Sequence, residues 1–494
     1  MNTGKLDENL KFVFSNGIIV FLLTILSSGL GFVFQIILGR YLGVESYGVY
    51  TVFITYINFM CIFTIIGIDN SLIRTIARID EKYKKSLLIK SLKMGCTYFF
   101  IFSLITYFLG TYIIDNNISN SKLFYVLLYF TVFIKTISQI FDGYYQGEKK
   151  TVLVKTILVF LSIFKLVFFI LIFIILRSVY AAIISYVISE VLCMIIKIVY
   201  YKVLENKSKY RYYIRYPKNE FSDFLKYSFS LSLITGTSIL MQNIDKIMIN
   251  FISGVYEVGL YRSAENYSTL IAIFASTFVV FWPVMSSLYS QKKIYLLNNI
   301  FSYITKFLCL LSIPTIVLVI VYSKELLLIF GNQYISSSSI LIVLLLGIII
   351  DTLSGPVGAL LNMTEYAKYN LINMILLATL NIILNIILIP KFGAIGAAFA
   401  TSVSCIIINF INIIQNKILL GIFPYDKKNI ILILNGVIIW GIDIFLYKNI
   451  FYSKNILEII LTGIINYIVY TIIFILIVKP NLDELKFIMK NKNI

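Results

Sequence analysis

The feature that most constrains this chain is a series of apolar runs, each about twenty residues long, repeating from Phe14 almost to the C-terminus. Wound as an α-helix at about 1.5 Å per residue, such a run matches a hydrocarbon core about 30 Å thick. Charged residues make up 13% of the 494 positions, about half the share usual in soluble domains, so lipid and not water is the solvent for most of the surface. A helix satisfies its own backbone in lipid, which points to an all-α polytopic membrane protein of about 14 transmembrane helices. Runs bounded by charges or turn residues place them at 14–38, 47–68, 91–114, 122–141, 152–176, 179–201, 224–251, 262–289, 298–322, 336–361, 370–390, 394–416, 429–447 and 456–478. The first run lacks a small-residue cleavage site, so it reads as a first spanning helix and not a removed signal peptide.

The net charge of +18 is topological. Lys and Arg crowd alternate connections: Lys5 and Lys11, then Arg74 to Lys85, Lys149 and Lys150, and Lys202 to Lys218. The series goes on through Lys292, Lys293, Lys368, Lys417, Lys427 and Lys428 to the tail with Lys479, Lys486, Lys490 and Lys492. The intervening connections hold few, among them Arg40, Lys122, Arg177, Lys324, Lys391, Lys448 and Lys454. By the positive-inside rule the crowded side is cytoplasmic, with both termini there, in a multi-pass protein of the cytoplasmic membrane. That explanation removes nucleic acid as a partner. The five cysteines stand singly in apolar runs and histidine is absent, which argues against a disulfide framework, a zinc site or histidine catalysis. No phosphate-cradling Gly-rich motif appears, so neither a cofactor nor ATP hydrolysis is expected. Connections on the outer side are too short for a catalytic domain, which disfavours a membrane glycosyltransferase or ligase.

One motif recurs. Gly43-Val44-Glu45-Ser46-Tyr47-Gly48-Val49-Tyr50 has the pattern Gly-Val-x-x-x-Gly-x-Tyr, and Gly254-Val255-Tyr256-Glu257-Val258-Gly259-Leu260-Tyr261 repeats it 211 residues later. Both copies follow an apolar run and open another on the same side. Six helices per unit is an even number, so the chain reads as two six-helix lobes in parallel orientation plus two C-terminal helices. The boundaries are 1–201 for the N-lobe, 202–222 for a basic cytoplasmic linker, 223–416 for the C-lobe, and 417–494 for helices 13 and 14 with the tail. The motif itself reads as the turn between the first two helices of each lobe.

Charges inside spanning runs carry the functional signal, since each costs about 2.5–3.5 kcal/mol at mid-helix. Lys155 and Lys197 lie near enough to helix ends to snorkel. Lys135, Lys165 and Lys306 lie deeper, as cavity-lining cations or as members of structural pairs. Gln242, Asn243, Asp245, Lys246 and Asn250 cover too much of the seventh helix for it to face lipid. Arg262 and Glu265 open the eighth helix on one face. Locks of Asp245 with Arg262 or Lys246 with Glu265, and a cavity wall meeting an anionic substrate, both fit this pattern. Arg40 and Arg74 are interfacial arginines or, by their planar bidentate fork, pyrophosphate contacts. Pro283, Pro314 and Gly355-Pro356 mark breaks within the eighth, ninth and tenth helices. Asn373, Asn381 and Asn385 line one side of the eleventh, and Ala394 to Ala400 give the twelfth a small packing face.

These segments resemble the polysaccharide-transport branch of the multidrug/oligosaccharidyl-lipid/polysaccharide (MOP) flippase superfamily, the O-antigen and capsule repeat-unit flippases. The resemblance rests on Leu38-Gly39-Arg40-Tyr41-Leu42 running into the first motif copy, on Gly67-Ile68-Asp69-Asn70-Ser71-Leu72-Ile73-Arg74, and on Asp245-Lys246 through Tyr261. It extends to Asn381-Ile382-Ile383-Leu384-Asn385 and Ile389-Pro390-Lys391-Phe392-Gly393-Ala394. It implies a two-lobed bundle with a central cationic cavity, no catalysis and no cofactor or metal. The cargo it implies is an undecaprenyl-pyrophosphate-linked oligosaccharide, moved by alternating access. Membrane lipids would be its surroundings, and a polymerase and glycosyltransferases of one pathway its partners, around a monomeric transporter. Family motif positions put Arg40, Arg74, Asp245 and Lys246 in the cavity; burial adds Lys135, Arg262 and Lys306. Asp245, Glu265 and Asp351 are candidates for ion coupling. A lipid II flippase and a cation-coupled multidrug exporter of the same superfamily are the alternatives.

Overall fold

The computed structural model describes residues 3–114, 121–207, 214, 216–276, 278, 281–425, 427–450 and 455–478. The basic tail from Lys479 onward, Lys454, and Lys209, Arg211 and Arg215 of the linker lie outside these residues. Among those described, the chain is helical, with no strand. The helices are α1 (Thr3–Ile65), α2 (Ile68–Ile76), α3 (Glu81–Ile114), α4 (Ser121–Gly147), α5 (Thr151–Leu176), α6 (Val179–Lys207), α7 (Lys218–Ser253) and α8 (Val255–Ser276). They continue as α9 (Trp282–Ser290), α10 (Ile294–Val321), α11 (Ser323–Leu328), α12 (Ser338–Ser354), α13 (Val357–Asn362), α14 (Ala367–Leu420), α15 (Lys427–Asn449) and α16 (Ile456–Val478).

Among the described residues, ten helical stretches are long and apolar enough to cross a membrane, one of them running from Asn332 through α12. Two of the ten are far too long for one crossing: an apolar stretch of 47 residues in α1 and the 54 residues of α14. Each doubles back. In α1, Gly43 takes φ 76° and ψ 172°, and the Tyr47 hydroxyl donates to Gln35 Oε1 at 2.9 Å. Twelve residues of straight helix would put those two about 18 Å apart. Phe34 and Tyr50 also meet edge to face across the bend, with ring centroids 6.1 Å apart. In α14 the bend is at Gly393 (φ 58°, ψ −137°), and Asn373 Nδ2 donates to Asn412 Oδ1 of the other arm at 2.7 Å. The expected seventh and eighth spans correspond to α7 and α8, which are not among the ten. Gln242, Asn243, Asp245, Lys246 and Asn250, and then Arg262, Glu265 and Asn266, make them too polar. Pro283 does not kink a helix interior: it stands in the first turn of α9, where a missing N–H costs nothing. Pro314 does lie inside α10, and Gly355-Pro356 separates α12 from α13.

The chain forms two compact units, 1–259 and 260–494. In the first, α2 lies against α4 because α4 presents Gly143 and Gly147 one turn apart. A Cβ on Gly143 would strike the Asp69 carbonyl, and one on Gly147 would lie 2.7 Å from Ile76 Cβ. Small residues four apart let two helix backbones close up in this way. In the second unit α10 is the core: Ile300, Phe301, Ile304 and Leu308 pack with Met285, Leu288, Leu360 and Leu361. Farther along, Cys309, Ile313 and Val317 pack with Leu432, Ile439, Tyr470 and Phe474. Amides tie the arms of α14 together; besides Asn373, Asn381 Nδ2 donates to Thr401 Oγ1 at 3.0 Å.

The two motif copies share a conformation as well as a sequence. Gly254 has φ 87° and ψ 173°, close to the torsions of Gly43 and in a region that only glycine occupies readily. The second glycines are used reciprocally. A Cβ on Gly48 would strike the Val255 carbonyl oxygen, and one on Gly259 would strike the Val44 carbonyl oxygen. The two copies therefore rest on each other within the first unit, backbone to backbone.

Candidate functional site

Inside the first unit a cleft of about 230 Å³ opens between the second arm of α1, the start of α2, α4 and α7. Asn58, Cys61, Ile62 and Ile65 come from α1, Gly67 and Asp69 from the turn into α2, and Gln139 from α4; α7 closes it with Thr235, Gly236, Ile239, Gln242 and Asn243. The turn is tight because Gly67 sits at φ 67°, and a Cβ there would strike the Ser228 carbonyl of α7. That close approach places Asp69 in the wall of the cleft. Burial pushes the Asp69 carboxyl above its ordinary range, and the backbone N–H groups of Asn70 and Asp69 oppose the shift.

Around the cleft the charges are held by named partners. Lys135 of α4 donates to Asn58 Oδ1 at 2.7 Å. Lys197 of α6 is 3% exposed; its ammonium lies 2.7 Å from Asp142 Oδ2 and 2.7 Å from Ser138 Oγ, both on α4. It therefore does not snorkel. Lys165 stands 4.7 Å from the centre of the Tyr186 ring, and Tyr186 is hydrogen-bonded to Glu190. On α7, Asp245 and Lys246 are 5% and 4% exposed, and the Lys246 ammonium donates to the Gln242 carbonyl one turn back.

The remaining expected residues fall in different settings. Arg40 is exposed three residues before the Gly43 bend. Arg74 is exposed and stacks its guanidinium 4.1 Å from the centre of the Tyr227 ring. In the second unit, Arg262 donates to Glu265 Oε2 at 2.6 Å. Lys306 is buried, 5.8 Å from the Tyr303 ring, and Asp351 accepts from Asn409 at 3.0 Å. Sequence reasoning passed over Asn58, Asp69, Gln139 and Asp142 as site residues. The signal for Asp142 was the Gly143-x-x-x-Gly147 spacing, which marks a helix where a loop was expected. No group of three or more metal-ligating side chains occurs among the described residues.

Residues 13–289 match the polysaccharide biosynthesis protein family. The chain belongs to that family. Among relatives, it is 31% identical to the probable flippase AglR of Haloferax volcanii over 172 residues, 33% of this chain and 35% of that protein. It is 29% identical over 226 residues to an uncharacterized membrane protein of Methanocaldococcus jannaschii, 43% of this chain and 52% of that one. A probable low-salt glycan biosynthesis flippase of Haloferax volcanii matches at 28% over 149 residues, 30% of this chain and 32% of that protein. The chain thus spans about half or less of the length of these relatives. Its fold is that of MOP-superfamily transporters. The lipid II flippase MurJ in an inward closed conformation superposes with a TM-score of 0.72 at 19% identity, over 93% of this chain and 99% of that one. A MOP-superfamily transporter from Pyrococcus furiosus gives 0.60 at 16% identity, over 82% and 95%. Two of these relatives carry the name of a probable flippase.

Proposed function

We propose that this chain is a flippase carrying an undecaprenyl-pyrophosphate-linked oligosaccharide across the cytoplasmic membrane by alternating access, for cell-surface polysaccharide synthesis. The observation that supports it most is the match of residues 13–289 to the polysaccharide biosynthesis protein family, in a chain that also buries Lys246 and Lys306 to 4% and 5% exposure. Cations kept inside apolar helices are where an anionic pyrophosphate would meet favourable charge. In this reading Arg40 and Arg74 meet the pyrophosphate first, and Lys135, Lys246, Arg262 and Lys306 are each proposed as substrate-binding cations of their own unit. Two negative charges leaving a negative-inside cell gain about 4.6 kcal/mol per 100 mV, at about 2.3 per charge. Asp245, Glu265 and Asp351 are the proposed carriers if an ion gradient adds to that driving force. The lobes are proposed to follow the sequence repeat, with both termini cytoplasmic and the protein acting as a monomer.

The cellular test is deletion. Loss of the gene is expected to accumulate lipid-linked oligosaccharide at the inner leaflet and deplete surface polysaccharide. Unchanged surface polysaccharide with altered drug resistance would replace this reading with that of a multidrug exporter.

A further inference from the structure

The cleft of the first unit is chemically unlike the cationic residues assigned to the pyrophosphate. Among the described residues no Lys or Arg lines it; its polar groups are the amides of Asn58, Gln139, Gln242 and Asn243, the Thr235 hydroxyl and the Asp69 carboxyl. An anion brought into it would face Asp69.

Two of the amides are fixed in orientation by what they already bind. Lys135 can only donate, so its 2.7 Å contact takes the Asn58 oxygen and leaves the Asn58 NH2 as the donor. Asn243 gives one of its two Nδ2 hydrogens to the Ile239 carbonyl at 2.7 Å, which fixes its flip and leaves its oxygen as an acceptor. The cleft thus offers a fixed donor and a fixed acceptor, with Gln139 and an exposed Gln242 supplying both kinds. Hydroxyl groups, each able to donate and accept, are the partners that use such a set. Ile62, Ile65 and Ile239 supply apolar wall for the C–H face of a ring. At about 230 Å³ the space falls below the roughly 300–1,000 Å³ of sites for drug-sized ligands. It suits one ring and not a chain of them.

We infer that this cleft is a subsite for a single uncharged sugar ring of the transported glycan, lined by amides and bordered by Lys135 and Lys246, which bind its Asn58 and Gln242 walls. The inference rests on the flippase reading. It makes the cleft read sugar identity through neutral amides, while charge recognition falls to the lysines and arginines outside its lining. A ring carrying a carboxylate is disfavoured by Asp69, and a ring with its hydroxyls removed leaves the amides unsatisfied.

The test uses purified full-length protein in lipid nanodiscs, with undecaprenyl pyrophosphate carrying a neutral hexose chain and bare undecaprenyl pyrophosphate as probes. Wild type is expected to bind the sugar-bearing lipid about tenfold more tightly than the bare one, and Gln139→Ala/Gln242→Ala to bind both alike, at the bare-lipid value. A probe whose hexoses are replaced by uronic acids should gain nothing over the bare lipid. Gln242→Glu keeps the side chain's shape and checks the same point if the double variant fails to fold: it should lose the preference for the neutral sugar. Preference kept by the double variant or by Gln242→Glu, or equal gain from uronic acids, overturns the subsite and leaves the flippase reading standing. Failure of wild type to bind either lipid would instead overturn the flippase reading.

Discussion

Replacing Gly48 with valine will destabilise the protein by about 1–3 kcal/mol, the usual cost of forcing a side chain into a filled contact. The new Cβ would meet the Val255 carbonyl, which is backbone and has no rotamer to escape through. Gly259→Val will do the same against the Val44 carbonyl. Because each variant pushes apart the same two segments, their effects will not add: the double variant will cost clearly less than the sum. Thermal unfolding of the purified protein, followed by helix content, reads both effects. Additive costs would show that the two glycines sit in independent contacts.

The second large effect is at Lys197. Its ammonium has Asp142 and Ser138 as partners, at 2.7 Å each, and the paired side chains are only 4% and 18% exposed. Removing one member of a buried pair strands the other charge, which costs about 3–5 kcal/mol. Lys197→Met is therefore expected to lower the unfolding temperature sharply. Lys197→Met/Asp142→Leu, which removes both charges, should recover most of the loss. A double variant as unstable as the single would mean that Lys197 acts through packing and not through the pair.

These two predictions also mark where the sequence was legible. The helical class followed from run length, because lipid leaves the backbone no other partner. The duplicated motif was visible as spelling, and its shared glycine torsions explain why the spelling recurs: few residues other than glycine tolerate φ near +80°. What the spelling did not show is that the copies touch. That contact joins positions about 210 apart and depends on tertiary packing. Lys197 was misjudged for the same reason: Asp142 was placed in a loop after residue 141, whereas α4 runs on to Gly147. One extra turn brings Asp142 to face Lys197 on α6. Pro283 looked like a kink because the apolar run continues through it, although the helix itself restarts there. The cleft was least legible, since its amides come from three helices and none is unusual alone.

Transport itself is the measurement closest to the central claim. Purified protein in proteoliposomes, loaded on one leaflet with fluorescent undecaprenyl-pyrophosphate-linked oligosaccharide, should move the lipid to the other leaflet. It should do so faster with a potential that draws anions across. Arg40→Ala and Lys306→Met should reduce the rate at least about tenfold, the effect of losing roughly 1.4 kcal/mol of charge-assisted binding. They should do so while the protein stays folded. Movement no faster than in protein-free vesicles, with the protein folded, would contradict the account.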